Sequence, residues 1–395
     1  MARVEARERG GTCLNRGCIP SKTLLRHAEV IEQIQKAKQW GIETGELSLS
    51  LEKMMKRKNQ IIKRLRTGIA ALLKAGKIDH YSGQGTVHPE RTVSIQATED
   101  DSAPSQIKAN NIILATGSVP LIPPIAGIEQ SNVHTSDTIF DIATIPETMT
   151  IVGGGFIGVE FACIFSALGV KVTVVEMADR IIPMEDEDAA RVLTKALQKK
   201  GVRVLTSAMV EEISTAEEGK RVTVQAADGK REEIVSEEVL VATARKPNVS
   251  GLEKLQLQMD KSYVVVNDRM QTSHPGVYAI GDLIGGWQLA HVAVAEGHVA
   301  AENAMGQKQS VDYTVVPRVI YTSPEIASVG MTEAEAKRKG YDIKVQKVDF
   351  IGNGKALTMD EKDGFTKIIA DKKYGQILGV VMAGAHVTEM ISEAS

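Results

Sequence analysis

Two cysteines and a nearby lysine carry the most specific chemistry in this chain. Cys13 and Cys18 stand in the run Gly10-Gly11-Thr12-Cys13-Leu14-Asn15-Arg16-Gly17-Cys18-Ile19-Pro20-Ser21-Lys22, and the sequence has one other cysteine, Cys163. Their spacing suits neither a zinc site nor a structural disulfide framework. On a regular helix, positions i and i+5 lie roughly 7.5 Å apart along the axis, whereas a disulfide needs its Cα atoms within about 7 Å. A bridge would therefore require a distorted turn, which the weak helix formers in Asn15-Arg16-Gly17 could loosen. It would close a very short loop, better suited to opening and closing than to holding a fold. Two unrelated thiols at a helix start are the alternative.

A second constellation lies in Thr150-Ile151-Val152 followed by Gly153-Gly154-Gly155-Phe156-Ile157-Gly158-Val159. This places G-x-G-x-x-G after a strand and before a helix, with Gly169 a good stop and Glu176 about 20 residues past the turn, the arrangement of a dinucleotide site. The glycines admit the pyrophosphate to the helix N-terminus, and Glu176 would accept hydrogen bonds from the adenosine ribose. Its charge opposes a 2′-phosphate, so NAD is expected rather than NADP. Glu160 follows closely enough to face the cofactor, its bland reading being a helix carboxylate near the positive dipole end. Cys163 reads as a core thiol.

These groups need an α/β scaffold. Helical periodicity runs over 21–39 and 51–75, and β-branched runs follow at Thr86-Val87, Thr92-Val93-Ser94-Ile95 and Asn111-Ile112-Ile113-Leu114-Ala115. A proline-rich linker at 119–125 leads to the second α/β unit, and a strand at 277–280 precedes an amphipathic helix. The apolar stretch 151–175 is too interrupted by Glu160, Lys171 and glycines to span a membrane; it reads as strand–turn–helix–strand. A net charge of −3 and 4% aromatic residues give no case for nucleic acid or a membrane surface. Few cysteines and a charged N-terminus without an apolar core point to a reducing cytoplasm.

The cysteine segment resembles the redox-active site of the flavoprotein pyridine nucleotide-disulfide oxidoreductases, in wording most like the members that oxidise dihydrolipoyl groups. The resemblance covers nearly the whole chain. It implies that Cys13 exchanges with the substrate disulfide, that Cys18 sits against a flavin, and that Lys22 lies beside the flavin's reactive nitrogen and pairs with Glu160. An ammonium near Cys18 would also favour its thiolate. The backbones of Val210 and Ala244 would touch NAD; at Ala244 the family usually has glycine. The implied fold is two doubly wound nucleotide-binding domains and an interface domain: an FAD domain over 1–147 and 274–312, interrupted by an NAD domain over 148–273, then a dimerisation domain over 313–395.

FAD signals are scattered. Glu5 ends a short strand, Arg3-Val4-Glu5, and fits a ribose carboxylate; Gly11 and Thr12 would approach the pyrophosphate. Gly85, Thr116, Gly117 and Ser118 would contact FAD through loop backbone. Asp282, in Tyr-Ala-Ile-Gly-Asp, fits the carboxylate that binds the ribityl and pyrophosphate region, and Gln288, Leu289, Ala290 and His291 open a helix whose positive end could face the flavin.

The resemblance also expects a glycine-rich βα unit before Glu5 and a His-Pro-Thr segment with an acid–base histidine after Ser395. His274, in Thr-Ser-His-Pro-Gly, reads instead as a loop residue, and His386 as an interface position. The implied activity is FAD-dependent oxidation of a protein-bound dihydrolipoyl group by NAD, with a homodimer serving the lipoyl domain of a 2-oxo-acid dehydrogenase complex or glycine cleavage system. The alternatives are a glutathione- or mercuric-type reductase, disfavoured by Glu176 and by the lack of a vicinal cysteine pair, and a non-catalytic remnant that keeps NAD binding.

Overall fold

The computed structural model describes residues 1–97 and 104–395. The chain divides into two compact units: Met1–Pro20, Arg57–Leu121 and Arg245–Tyr313 form the first, and Ser21–Lys56, Ile122–Ala244 and Thr314–Ser395 the second.

In the first unit, strand Ala2–Glu5 runs parallel to Asp79–Val87, which continues antiparallel to Thr92–Ala97 and then to Gln106–Lys108. A separate parallel pair joins Ile112–Leu114 to Val277–Ala279, and Val87, Leu114, Val277 and Leu283 share one apolar cluster. The Asp282 turn and helix Ala290–Ala304 follow directly. Gly85 corrects one expectation: it lies inside strand Asp79–Val87, opposite Ile95, and not in a loop. The close approach there constrains Gly251 instead: at φ +82° a Cβ on Gly251 would strike the Gly85 carbonyl oxygen.

The expected linker likewise begins as strand Ser118–Pro120, paired antiparallel with Arg245–Pro247. Both strands belong to the first unit, which the chain re-enters at Arg245.

The second unit is built on a five-stranded parallel sheet in the order Arg203–Leu205, Lys171–Val175, Thr148–Val152, Glu238–Val241 and His134–Thr135. The strand–turn–helix–strand reading of 151–175 holds: Thr148–Val152, helix Phe156–Ala167, then Lys171–Val175. Among the described residues no helix is long and apolar enough to cross a membrane. Helix Glu187–Lys199 buries Ala189, Ala190, Leu193 and Leu197 at helical spacing, and the Asp186 carboxylate caps its start by accepting the Asp188 N–H at 3.0 Å. A three-stranded antiparallel sheet, Ala208–Ala216, Gly219–Ala226 and Arg231–Ser236, lies between the last two parallel crossings.

The C-terminal part of this unit is a five-stranded antiparallel sheet in the order Arg318–Ile320, Glu325–Gly330, Ile377–Gly384, Phe365–Asp371, Ile343–Asp349. Its Ile320, Ile326, Phe365 and Val381 join Ile151, Val159, Ile164 and Leu193 in one core cluster. Two buried ionic ties cross the same seam. Arg318 Nε lies 3.1 Å from Glu185, which also accepts the Ser328 hydroxyl at 2.6 Å. Lys367 lies 3.0 Å from Asp186, 3.1 Å from Asp188 and 2.9 Å from Glu333. Burial works against the Lys367 charge, but the bonds from Glu333 and Asp186 win and hold its pKa well above the usual lysine range.

Candidate active site

The glycine turn is shaped for close backbone approach. Gly153 takes φ +109°, and a Cβ there would meet the Ala242 carbonyl oxygen at 2.6 Å. A Cβ on Gly158 would collide with the Gly153 carbonyl oxygen, so only glycine lets the helix start this near its strand. Gly155 caps helix Phe156–Ala167 with no side-chain hydrogen bond and open space around it. No acidic residue occupies the helix's first turn, which leaves its N–H groups and dipole for an anion. Glu176 sits at the neighbouring strand end, accepting N–H bonds from Gly154 at 2.6 Å and Ala178 at 2.7 Å. Phe156, Ile157 and Val159 lie in the opening turns of the helix, Ala244 is exposed beyond strand Glu238–Val241, and Val210 is buried in the adjacent apolar cluster. This donor set, an uncapped helix start beside a carboxylate, fits a dinucleotide.

Glu160 projects from the same helix and is nearly buried. Both its oxygens lie within hydrogen-bond reach of Lys22 Nζ, at 2.8 and 2.7 Å, so the pairing implied by the resemblance is present across 138 residues of sequence. Glu160 Oε1 also accepts the Tyr321 N–H at 3.1 Å, and Lys22 Nζ stands 4.8 Å from the Tyr321 ring centroid. Lys22 belongs to helix Cys18–Lys36, which Glu32 ties to Lys200 at 2.6 Å. Cys163 is buried as expected, and burial raises its thiol pKa.

Cys13 and Cys18 form a disulfide with Cα atoms 4.7 Å apart. The helix does break between them: Gly11–Arg16 ends, Gly17 takes φ −131° and ψ −106°, and Cys18–Lys36 begins. Asn15, read from sequence only as a weak helix former, anchors this turn. Its Nδ2 donates to the Gly11 carbonyl at 2.8 Å and the Arg9 carbonyl at 3.0 Å, while its Oδ1 accepts from Arg66.

The expected FAD residues fall into two groups in the first unit. Glu5 ends its strand, paired with Arg3 at 2.6 Å, and Gly10 and Gly11 both take left-handed backbone before Thr12 at the helix start. The second group gathers around Asp282. Ser118 donates its hydroxyl to Asp282 at 2.5 Å, and Arg245 donates to the Ser118 hydroxyl at 2.8 Å and carbonyl at 2.9 Å. Thr116 donates to the Asn248 carbonyl at 2.5 Å, and the Asn248 N–H returns to Gly117 at 2.8 Å.

Arg245 was not foreseen as a site residue, since Ser118, which accepts both of these bonds, lies 127 positions before it. Glu296 was also missed. It is buried, accepts the Gly281 N–H at 2.7 Å and the Tyr313 hydroxyl at 2.8 Å, and has its pKa raised by burial and by Asp282. Leu289 caps helix Ala290–Ala304 without a side-chain bond, and His291 is exposed in its first turn. Gln288 just before it has a buried Nε2 with no partner among the described residues. An orphaned donor at an open helix start is what an absent polar ring system would satisfy, so these residues fit a flavin nucleotide. His274 is in a loop, as read from sequence, and His386 stands at the N-terminal cap position of helix Val387–Met390 without a side-chain cap bond.

A redox disulfide, a dinucleotide turn and a lysine–glutamate pair define a pyridine nucleotide-linked disulfide oxidoreductase, and the comparisons agree. Residues 1–297 match the family described as "Pyridine nucleotide-disulphide oxidoreductase", and residues 316–395 its dimerisation domain; the chain belongs to this family, whose members use FAD and NAD. Among its relatives is the dihydrolipoyl dehydrogenase of Bacillus subtilis, 42% identical over 99% of this chain and 85% of that protein. A dihydrolipoyl dehydrogenase of Thermus scotoductus is 38% identical over 99% of this chain and 84% of its own length. Of solved structures, LpdA from Mycobacterium tuberculosis superposes with a TM-score of 0.89 at 27% identity, covering 100% of this chain and 86% of that one. The HOCl-induced flavoprotein disulfide reductase RclA from Escherichia coli gives 0.86 at 28%, covering 100% and 86%.

Proposed function

We propose that this protein oxidises protein-bound dihydrolipoyl groups with NAD as acceptor. The observation that carries the reading is the Cys13–Cys18 disulfide at a helix break, in a chain similar along its length to dihydrolipoyl dehydrogenases. One substrate sulfur attacks Cys13, forming a mixed disulfide and releasing Cys18 as thiolate; the second substrate sulfur then displaces Cys13. Lipoyl disulfide leaves, and the enzyme holds the two electrons as Cys13 and Cys18 in reduced form.

FAD, when bound, supplies the two-electron relay to NAD⁺, giving NADH and one proton overall. Gly11, Thr12, Ser118, Asp282 and the helix start at Gln288 and Leu289 are the residues we assign to hold it, with Glu5 toward its ribose. Lys22, one turn beyond Cys18, supplies the positive charge that favours the Cys18 thiolate, and Glu160 orients that charge. Gly153 to Gly158 take the NAD pyrophosphate and Glu176 the ribose.

The partner is the lipoyl domain of a 2-oxo-acid dehydrogenase complex or glycine cleavage system, and the working form is a homodimer. The test is NADH formation from dihydrolipoamide by the FAD-loaded protein, with Cys13→Ser and Cys18→Ser as controls. Activity only with glutathione disulfide and NADPH would replace this reading with a glutathione-type reductase.

A further inference from the structure

Tyr321 touches both members of the Lys22–Glu160 pair. Its backbone N–H reaches Glu160 Oε1 at 3.1 Å, and its ring stands against Lys22 Nζ at 4.8 Å from the centroid. The backbone that makes the first contact is well fixed. Tyr321 directly follows strand Arg318–Ile320, whose Ile320 is fully buried, and Thr322 donates its hydroxyl to the Pro324 carbonyl at 2.7 Å. The ring itself is only partly covered, at 37% exposed. Burial and the charges of Glu160, Glu389 and Glu325 keep its phenol protonated by raising its pKa. It therefore offers Lys22 a neutral aromatic face.

Lys22 needs such a face. Its side chain is 32% exposed, while that of Glu160 is 8% exposed, so the carboxylate is enclosed and the ammonium is the partner open to solvent. Two oxygens on one carboxylate set the distance of the ammonium but leave it free to swing about the carboxylate axis. A ring on one side removes that freedom, because a cation is held to an aromatic face by the ring quadrupole.

We propose that Tyr321 is a positioning residue for Lys22: its ring holds the ammonium in one orientation on Glu160 and so directs the lysine charge. The part of this inference that concerns the flavin rests on the assignment of Lys22 made above; the contact with Lys22 does not.

The experiment measures acetylation of Lys22 by acetic anhydride in the flavin-free full chain, read by mass spectrometry, so no substrate or cofactor is needed. A lysine released from the ring leaves Glu160 more often, gives its proton to solvent, and meets the reagent as the free amine, which takes the acetyl group as acetate leaves. Tyr321→Leu should raise the Lys22 rate by about 3- to 10-fold, the range of a partly exposed cation–π contact. Tyr321→Phe, which keeps the ring, should leave the rate unchanged.

A ring-fluorinated phenylalanine at 321 keeps the shape but removes the negative face. It should behave like leucine, and it keeps the test sound if the leucine variant folds poorly. In the FAD-loaded protein, the flavin midpoint potential should move with the leucine and fluorinated variants and not with phenylalanine.

Equal rates for the fluorinated and plain phenylalanine variants would reduce Tyr321 to a steric cover and overturn the proposal, as would a leucine variant matching the parent. Failure to oxidise dihydrolipoamide with this labelling pattern intact would overturn the proposed function and leave the positioning role standing.

Discussion

Glu176 Oε2 accepts the Gly154 N–H at 2.6 Å, so the acid at the end of one strand holds the glycine turn at the end of its neighbour. The same carboxylate therefore shapes the glycine turn and, in the proposed NAD site, would oppose a 2′-phosphate. Replacing Glu176 with Gln keeps an acceptor for the turn while removing the charge. With an added arginine at Met177, the NADP-to-NAD affinity ratio should rise by about 10-fold or more, since one close charge pair is worth over 1 kcal/mol. Fluorescence titration with both nucleotides measures it. Equal affinities in the parent protein would remove the basis of the assignment.

Gly158→Ala should be among the most disruptive small substitutions. The new Cβ would strike the Gly153 carbonyl oxygen, part of the backbone and unable to step aside. Overpacking of this kind costs about 1–3 kcal/mol, and the helix must shift away from the turn. Thermal melts and NAD titration should show lower stability together with weakened binding; an unchanged NAD affinity would count against the turn as the pyrophosphate site.

Thiol counting separates the three cysteines. Cys163 is buried, and burial raises its pKa, so it stays a protonated, shielded thiol at neutral pH. Native oxidised protein should take up no iodoacetamide quickly, and mild reduction should open two reactive sites, Cys13 and Cys18. The proposed roles make Cys13 the faster of the two. Prompt labelling of Cys163 in the native protein would contradict the packing around it.

Glu296 gives a pH signature. Its folded pKa is raised above 4.5 by burial and by Asp282, so the native state binds this proton more tightly than the unfolded chain. Its contribution to stability is complete below about pH 4.5 and is lost as pH rises through the folded pKa. Glu296→Gln should flatten that decline relative to the parent in melts taken from pH 4.5 upward. Parallel curves for the two proteins would show that Glu296 does not titrate in this range.

Arg318 and Glu185 form a buried pair, 5% and 1% exposed. Arg318→Met strands a carboxylate and should cost about 3–5 kcal/mol, whereas pairing it with Glu185→Met should recover much of the loss. Chemical denaturation of the parent, single and double variants tests this; a single variant within error of the parent would mean that Glu185 finds another partner.

Local signals explain what was readable from the sequence. The span 148–175 was legible because apolar runs and glycines fall where a strand, a tight turn and a helix need them, and the helix over 51–75 matched because apolar residues recur at helical spacing on either side of Lys58. Gly85 was misread because Gly83-Gln84-Gly85 looks like a turn, whereas its pairing with Ile95 places it in a strand. The Asp282–Ser118–Arg245 cluster had no local signature, since it joins three segments that meet only after folding. Lys22 and Glu160 were paired through family likeness; nothing in a separation of 138 residues could have shown it.

The shared core of the second unit carries one more consequence. Family matching draws a border between residues 1–297 and 316–395, yet Ile320, Ile326, Phe365 and Val381 belong to the same cluster as Ile151, Val159 and Leu193. The borders of the family matches and of the packed core therefore do not coincide in this molecule. The C-terminal sheet keeps a cluster of its own around Ala327, Val329, Val380 and Met382, but Phe365 and Val381 belong to the shared core, so hydrogen exchange in Phe365–Asp371 should slow and quicken together with that in Lys171–Val175.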